Sequence, residues 1–136
     1  MYYSKIISVI ILNWNGRRHL KECLESLGNQ TYRDFETIFV DNGSSDGSVE
    51  HVRENFPYVK ILALGKNTGF SKGNNEGIKI AKGEYIALLN NDTKVDKYWL
   101  KELYKSICKH PEISFFASRI VFYDQPNRID SAGDGY

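Results

Sequence analysis

With 136 residues, 41% of them apolar and 26% charged, the chain has the length and composition of one globular domain that buries a core without staples. A formal charge of +1, from 18 basic and 17 acidic residues, provides no global attraction to nucleic acid or to an anionic membrane. Cys23 and Cys108 are too few for a disulfide framework or a metal site, no apolar run approaches the roughly 20 residues of a membrane span, and Met1–Ser4 leads into a strand-like run with no signal-peptide pattern.

The first run, Ile6–Leu12, is short, β-branched and apolar on both faces, as a strand between two helix layers must be. Asn13-Trp14-Asn15-Gly16 ends it. Leu20, Cys23, Leu24 and Leu27 then recur at helical spacing and predict a helix over Arg17–Asn29. A second run, Phe35–Val40, stops at Asp41-Asn42-Gly43. Ser44-Ser45-Asp46 supplies N-cap chemistry for a helix that runs to Asn55, ahead of Pro57.

The third run, Val59–Leu64, stops at Gly65-Lys66-Asn67-Thr68-Gly69, and a weaker helix is predicted over Asn74–Lys82. The fourth, Tyr85–Leu89, stops at Asn90-Asn91-Asp92. A strongly amphipathic helix follows over Asp96–Lys109, with Trp99, Leu100, Leu103 and Ile107 on one side and Lys97, Lys101, Lys105 and Lys109 on the other. An aromatic run, Ile113–Tyr123, gives way to an aperiodic stretch over 124–136 that predicts an irregular tail. Strands spaced by helices imply an α/β fold with a parallel sheet and right-handed crossovers. One domain over 1–136 is expected, ending before its architecture is complete.

Each of the first four runs ends in a polar cluster, and a parallel sheet brings all strand C-termini to one edge. The four clusters therefore converge on a crevice where open α/β sheets bind ligands. One such cluster is what any turn requires; four rich in Asn and Asp point to a nucleotide-sized site. No Gly-x-Gly-x-x-Gly follows the first strand and no Gly-x-x-x-x-Gly-Lys occurs, so a glycine nest does not grip the phosphates. A divalent cation held by Asp92 is the economical way to offset their charge.

The ordered segments ISVIILNWNG, CLESLGNQTY, FETIFVDNGSSDGS and NTGFSKGNNEGIKIAKGEYIALLNNDT resemble the nucleotide-binding half of family 2 glycosyltransferases, inverting enzymes of GT-A fold, and within them the rhamnosyltransferase-like branch. The resemblance implies a hexosyl-type transferase that moves sugar from a nucleoside diphosphate to an acceptor hydroxyl, as in cell-surface polysaccharide synthesis. It implies that Asn13, Trp14 and Asn15 line base and ribose, and that Asp41 accepts a hydrogen bond from the base. Asn67, Gly69 and Asn74 fall in the donor-contacting segment, where many members carry Arg-Asn and this chain has Asn74-Asn75. Asn90-Asn91-Asp92 stands at the metal-binding Asp-x-Asp, so the resemblance makes Asp92 the ligand to Mg2+ or Mn2+, with Asn90 and Asn91 nearby.

The implied partners are a nucleoside-diphosphate sugar, UDP- or dTDP-linked in preference, and a glycan or lipid-linked acceptor; nucleic acid is not expected. A catalytic base is not located: Asp124, Asp130 and Asp134 are the late acids, and solvated loop carboxylates are the expectation for all three. The lysine stripe is expected as the solvated side of its helix, and as the surface for peripheral contact at the inner face of the membrane if one forms. Phe115, Phe116, Phe122 and Tyr123 are expected in a core or a covered interface, whose exposure would favour a homo-oligomer. A cytoplasmic setting follows from the cysteine usage. His19, His51 and His110 share no ligand spacing and are expected at the surface. The alternative reading is a non-catalytic nucleotide-sugar-binding or assembly module that needs a partner chain; a nucleotidyltransferase is a third, with only Asn15-Gly16-Arg17-Arg18 as a faint basic loop.

Overall fold

A computed structural model describes residues 7–132. Expectations placed on Met1–Ile6 and on Asp134 lie outside the described residues. The chain packs as two compact units, Met1–Lys101 and Glu102–Tyr136.

In the first unit β1 (Ile7–Asn13), β2 (Phe35–Asp41), β3 (Lys60–Ala63) and β4 (Tyr85–Asn90) form a parallel sheet in the order β3-β2-β1-β4. Between them run α1 (Arg17–Gly28), α2 (Ser48–Asn55) and α3 (Phe70–Ile80), and α4 (Trp99–Lys109) follows β4. The chain steps from β1 to β2 to β3, then crosses back to β4 on the other side of β1. Right-handed crossovers therefore put α1 and α2 on one face and α3 on the other. The direction reverses between β1 and β4.

The core is built on the central strand, where Val9, Ile10 and Ile11 are fully buried. On α1 the predicted stripe of Leu20, Cys23, Leu24 and Leu27 is buried as well. Burial pushes the Cys23 thiol up to about 12; the Asp92 charge adds to this, and hydrogen bonding with Thr93 opposes it. On the other face Ile10, Ile38 and Val40 pack with Leu12, Leu62, Leu64, Ile80 and Ala81. Helix α3 approaches that surface through glycines: a Cβ at Gly77 would stand 2.7 Å from Ile10 Cγ2 and 2.8 Å from Val40 Cγ2. Its buried positions are Gly73, Asn74 and Gly77, so no apolar stripe announces it, and the helix begins at Phe70 rather than at Asn74.

Two helix starts differ from the predicted ones for related reasons. At α2 the N-cap position is Gly47, at φ 80°, and Asp46 Oδ1 accepts the N–H and hydroxyl of Ser48 from one residue earlier. At α4 regular helix starts at Trp99, and Asp96 caps it by accepting the Tyr98 N–H at 2.8 Å. The buried Gln30 fixes that start, donating to the Asp96 carbonyl at 2.7 Å and accepting the Leu100 N–H at 3.0 Å. The three histidines are half-buried rather than fully exposed, His51 standing edge-on to Phe56.

The N-terminal edge of the sheet is closed by Glu36, which accepts from the Ser8 hydroxyl at 2.6 Å and the Lys82 N–H at 2.7 Å. Burial raises its carboxyl, but those hydrogen bonds and the Lys60 and Lys82 charges outweigh it and bring the group below its ordinary 4.5. A depressed carboxylate contributes stability that is present above the unfolded value and lost as pH falls through the folded one. Thermal melts of Glu36→Gln should accordingly lie below wild type at neutral pH, the gap closing as pH falls below 4.5; a gap independent of pH would show that the charge carries none of the effect.

In the second unit β5 (Ile120–Phe122) and β6 (Gln125–Ser131) pair as an antiparallel hairpin. The tail predicted to be irregular thus holds a strand, and the aromatic run ahead of it contributes only three residues to the pair. All of β6 except its last residue is exposed, so backbone pairing forms it without any apolar alternation. Phe115, at 91% exposure, and Tyr123 are not in a core. Among the described residues no helix is long and apolar enough to cross a membrane.

Candidate functional site

Three of the four strands run into the polar residues that follow them: Asn13, Asp41 and Asn90 are the last residues of β1, β2 and β4. Asn13 pairs with Asp41 across the ladder, and both are buried. The β1 and β4 ends flank the point where the sheet order reverses, which is where an open α/β sheet leaves room for a ligand.

A hydrogen-bond network ties these ends together. The Asp41 carboxylate accepts the Ser44 N–H at 2.8 Å through Oδ2 and the Asn13 side-chain amide at 3.2 Å through Oδ1. Asn13 also donates to Ser44 Oγ at 3.1 Å, and its Oδ1 accepts from Asn91 Nδ2 at 2.8 Å. Asn15, held at φ 51°, donates its N–H to Ser44 Oγ at 2.9 Å and accepts the Ser45 N–H at 2.8 Å. Asp41 therefore does cap the Ser44 turn, while each of its oxygens keeps capacity for a further donor.

A second clasp joins the β2 and β3 ends. Buried Asn42 donates to Asn67 Oδ1 at 3.1 Å and to the Gly69 carbonyl at 3.2 Å, and accepts from the Thr68 N–H at 2.8 Å. Asn67 also accepts the Gly69 N–H at 2.9 Å. Asn42 and Ser44, expected as a strand-end turn residue and a cap, and Gly16 hold these loops, although Asn, Ser and Gly after a strand read as ordinary turn residues.

The predicted residues thus divide. Asn13, Asn15, Asp41 and Asn91 come together in one network, and Asn67 and Gly69 in the adjoining clasp. Trp14 is exposed beside them at 58%. Asn74 is buried within α3 and donates to the Phe70 carbonyl of its own helix at 3.1 Å. Asn90 and Asp92 are exposed, and among the described residues neither side chain makes a hydrogen bond or ion pair. Asp124 follows β5 and Asp130 lies on β6, both in the second unit. Beside Asn15 an open depression of about 620 Å3 is lined by Arg17, Arg18, Lys21, Asp46 and His51, with Asp46 accepting the Arg17 N–H at 2.9 Å.

As a cation site the end of β4 offers one carboxylate and neutral amide oxygens. Among the described residues no three His, Cys, Asp or Glu side chains gather into a cage. Such a donor set suits Mg2+, which keeps waters and binds through one or two carboxylates together with substrate phosphates. The residues fit a cation held jointly with a diphosphate.

The description Glycosyl transferase family 2 matches residues 8–134, nearly the whole chain. The chain belongs to that family. Curated relatives include the glycosyltransferase GlyG of Streptococcus pneumoniae, 35% identical over 109 residues that cover 76% of this chain and 36% of that protein. A cholesterol galactosyltransferase of Borreliella burgdorferi is also 35% identical, over 72% of this chain and 28% of its own length. Among solved structures, S. aureus TarS 1–349 in complex with UDP-GlcNAc superposes with a TM-score of 0.73 at 29% identity, covering 78% of this chain and 32% of that one. This family 2 chain therefore has the expected GT-A-like sheet and spans about a third of the length of these relatives. Its sheet-end loops, Asn13–Gly16, Asp41–Ser44, Asn67–Gly69 and Asn90–Asp92, all fall within the matched residues.

Proposed function

We propose that this chain is the donor-binding part of a glycosyltransferase that takes a nucleoside-diphosphate sugar at the C-terminal edge of its sheet, assisted by Mg2+ or Mn2+. The observation that carries the reading is the arrangement at the switch point. A network anchored on buried Asp41 reaches the turn after β4, where Asp92 has its carboxylate unengaged. TarS, the solved relative above, is known in complexes with UDP-GlcNAc and with UDP, which favours a uracil- or thymine-type base. Asp41 has acceptor capacity for a ring N–H of such a base. Trp14, Asn15, Asn67 and Gly69 border the ribose and diphosphate, and Asn74 supports α3 from within.

When bound, the cation supplies Lewis-acid stabilisation of the departing diphosphate. The chain's own part is to hold that diphosphate: Asp92 anchors the cation end, Asn90 offers a neutral oxygen to a bound water, and Asp41 fixes the base. Inverting transfer also needs a carboxylate to take the acceptor's proton; none of the residues at this sheet edge is assigned that role. The 136-residue chain is accordingly expected to bind a nucleoside diphosphate well and to transfer sugar poorly. A rhamnosyltransferase-like donor preference, a glycan or lipid-linked acceptor in polysaccharide synthesis, and a cytoplasmic position at the inner membrane face complete the proposal.

Titration calorimetry with UDP, dTDP and GDP, each with and without Mg2+, tests it. UDP or dTDP should bind, about tenfold or more tightly with the cation present, a gain of about 1.4 kcal/mol or greater. Absence of binding by all three would overturn the proposal, and rapid turnover by this chain alone would overturn its division of labour.

A further inference from the structure

We propose that Asn91 is a positioning residue rather than a cation ligand, the last link of an amide relay that couples the nucleobase end of the crevice to the cation-bearing turn. This rests on the donor-binding reading above and adds a mechanism to it. The relay's direction is set by charge. A carboxylate accepts and does not donate, so Asn13 must turn its Nδ2 toward Asp41, where it lies 3.2 Å from Oδ1. Its Oδ1 then faces the other way and can be met only by a donor. Asn91 Nδ2 meets it at 2.8 Å, which turns the Asn91 carbonyl oxygen away from Asn13.

One buried charge thus orients two successive amides across the paired ends of β1 and β4. Asn13 is 0% exposed, and in such surroundings linked hydrogen bonds polarise one another. Both of its amide protons and its oxygen are engaged, so it cannot flip without taking its donors away from Asp41 Oδ1 and Ser44 Oγ and turning its oxygen toward both acceptors. Asp92 is the residue after Asn91, so holding Asn91 fixes the start of the turn that presents the one carboxylate there.

A separate feature of the backbone points the same way. A Cβ at Gly16 would overlap the Asn91 amide nitrogen and stand 2.6 Å from Asn13 Oδ1. Gly16 has an ordinary negative φ of −105°, so conformation does not call for glycine there. Space for the Asn13–Asn91 hydrogen bond does.

Linkage makes the coupling reciprocal: a base seated on Asp41 should tighten the cation turn, and a cation should tighten the base site by the same factor. The relay and a direct-ligand role predict opposite signs for Asn91→Asp. A carboxylate is a better ligand for Mg2+ than an amide, so a ligating residue 91 would strengthen the Mg2+ dependence of UDP binding. In the relay the same carboxylate opposes Asn13 Oδ1 and breaks the link.

The experiment is calorimetry of UDP with and without Mg2+ on wild type, Asn91→Asp and Gly16→Ala, with circular dichroism to establish that each is folded. The readout is the ratio of the two UDP dissociation constants, which a merely structural role would leave unmoved. That ratio should fall about tenfold in both variants, within the usual range of coupling between sites. A ratio equal to or above wild type in Asn91→Asp overturns the relay and leaves the donor-binding reading standing. Wild type that binds UDP equally with and without Mg2+ also overturns the relay, and wild type that binds none of the three nucleoside diphosphates removes the donor-binding reading with it.

Discussion

Asp92→Ala should remove nearly all of the Mg2+-dependent part of nucleoside diphosphate binding while leaving the fold intact. The side chain is exposed and makes no hydrogen bond or ion pair among the described residues. Its loss should therefore cost folding no more than about 0.5 kcal/mol, as at other exposed sites free of special features. Its proposed functional role is far larger. Altering a group that merely supports a metal ligand typically costs about 10- to 100-fold in affinity, so deleting the single carboxylate of a sparse donor set should cost the whole of the Mg2+ effect, about tenfold or more. Asp92→Asn, which keeps an oxygen but not the charge, should fall between. Calorimetry in Mg2+ resolves the three proteins, and metal-free titrations should superpose. If Asp92→Ala retains the full Mg2+ effect, the cation is held elsewhere.

The order of elements was legible because buried parallel strands read as apolar runs and amphipathic helices as a 3.6-residue period. What was not legible follows from departures from those two rules. β1, β2 and β4 each extend one residue past the apolar run, into Asn13, Asp41 and Asn90. There the backbone ladder continues while the side chains belong to the site. Helix α3 hides because it meets the sheet with glycines, and β6 hides because nothing along most of its length is buried. Polar clusters at strand ends located the crevice, yet residue type alone could not tell which amides face a ligand and which face each other. Asn74 and Asn42 turn into the structure, Asn13 and Asn91 turn toward one another, and among the described residues the side chains of Asn90 and Asp92 are left without a hydrogen bond. Family resemblance assigned most of them to the ligand; the hydrogen-bond geometry gives several a supporting place around it.

Gly43→Ala should be the most damaging small substitution in the crevice wall. Gly43 sits at φ +82°, where an L side chain costs about 1–2 kcal/mol. The added methyl would also stand 2.6 Å from Lys66 Cα, 2.8 Å from its carbonyl carbon and 2.9 Å from its nitrogen. Those are backbone atoms, so no side-chain rotation relieves the overlap and one loop must move, an overpacking cost of roughly 1–3 kcal/mol. The sum, about 3 kcal/mol, should lower Tm by roughly 10 °C. Gly65 provides the comparison: its φ is +76°, but a Cβ there meets nothing within 4 Å. Gly65→Ala should therefore incur the conformational part alone, about 1–2 kcal/mol, and the difference between the two melts isolates the close approach of the loops. That approach matters to binding, because the Asn42 clasp to Asn67, Thr68 and Gly69 spans the same gap. Gly43→Ala should weaken UDP binding with and without Mg2+ alike, in contrast to the cation-specific loss at Asp92. Equal melting temperatures for the two glycine variants would mean that the loops yield freely, and that the wall they form is not what holds the crevice open.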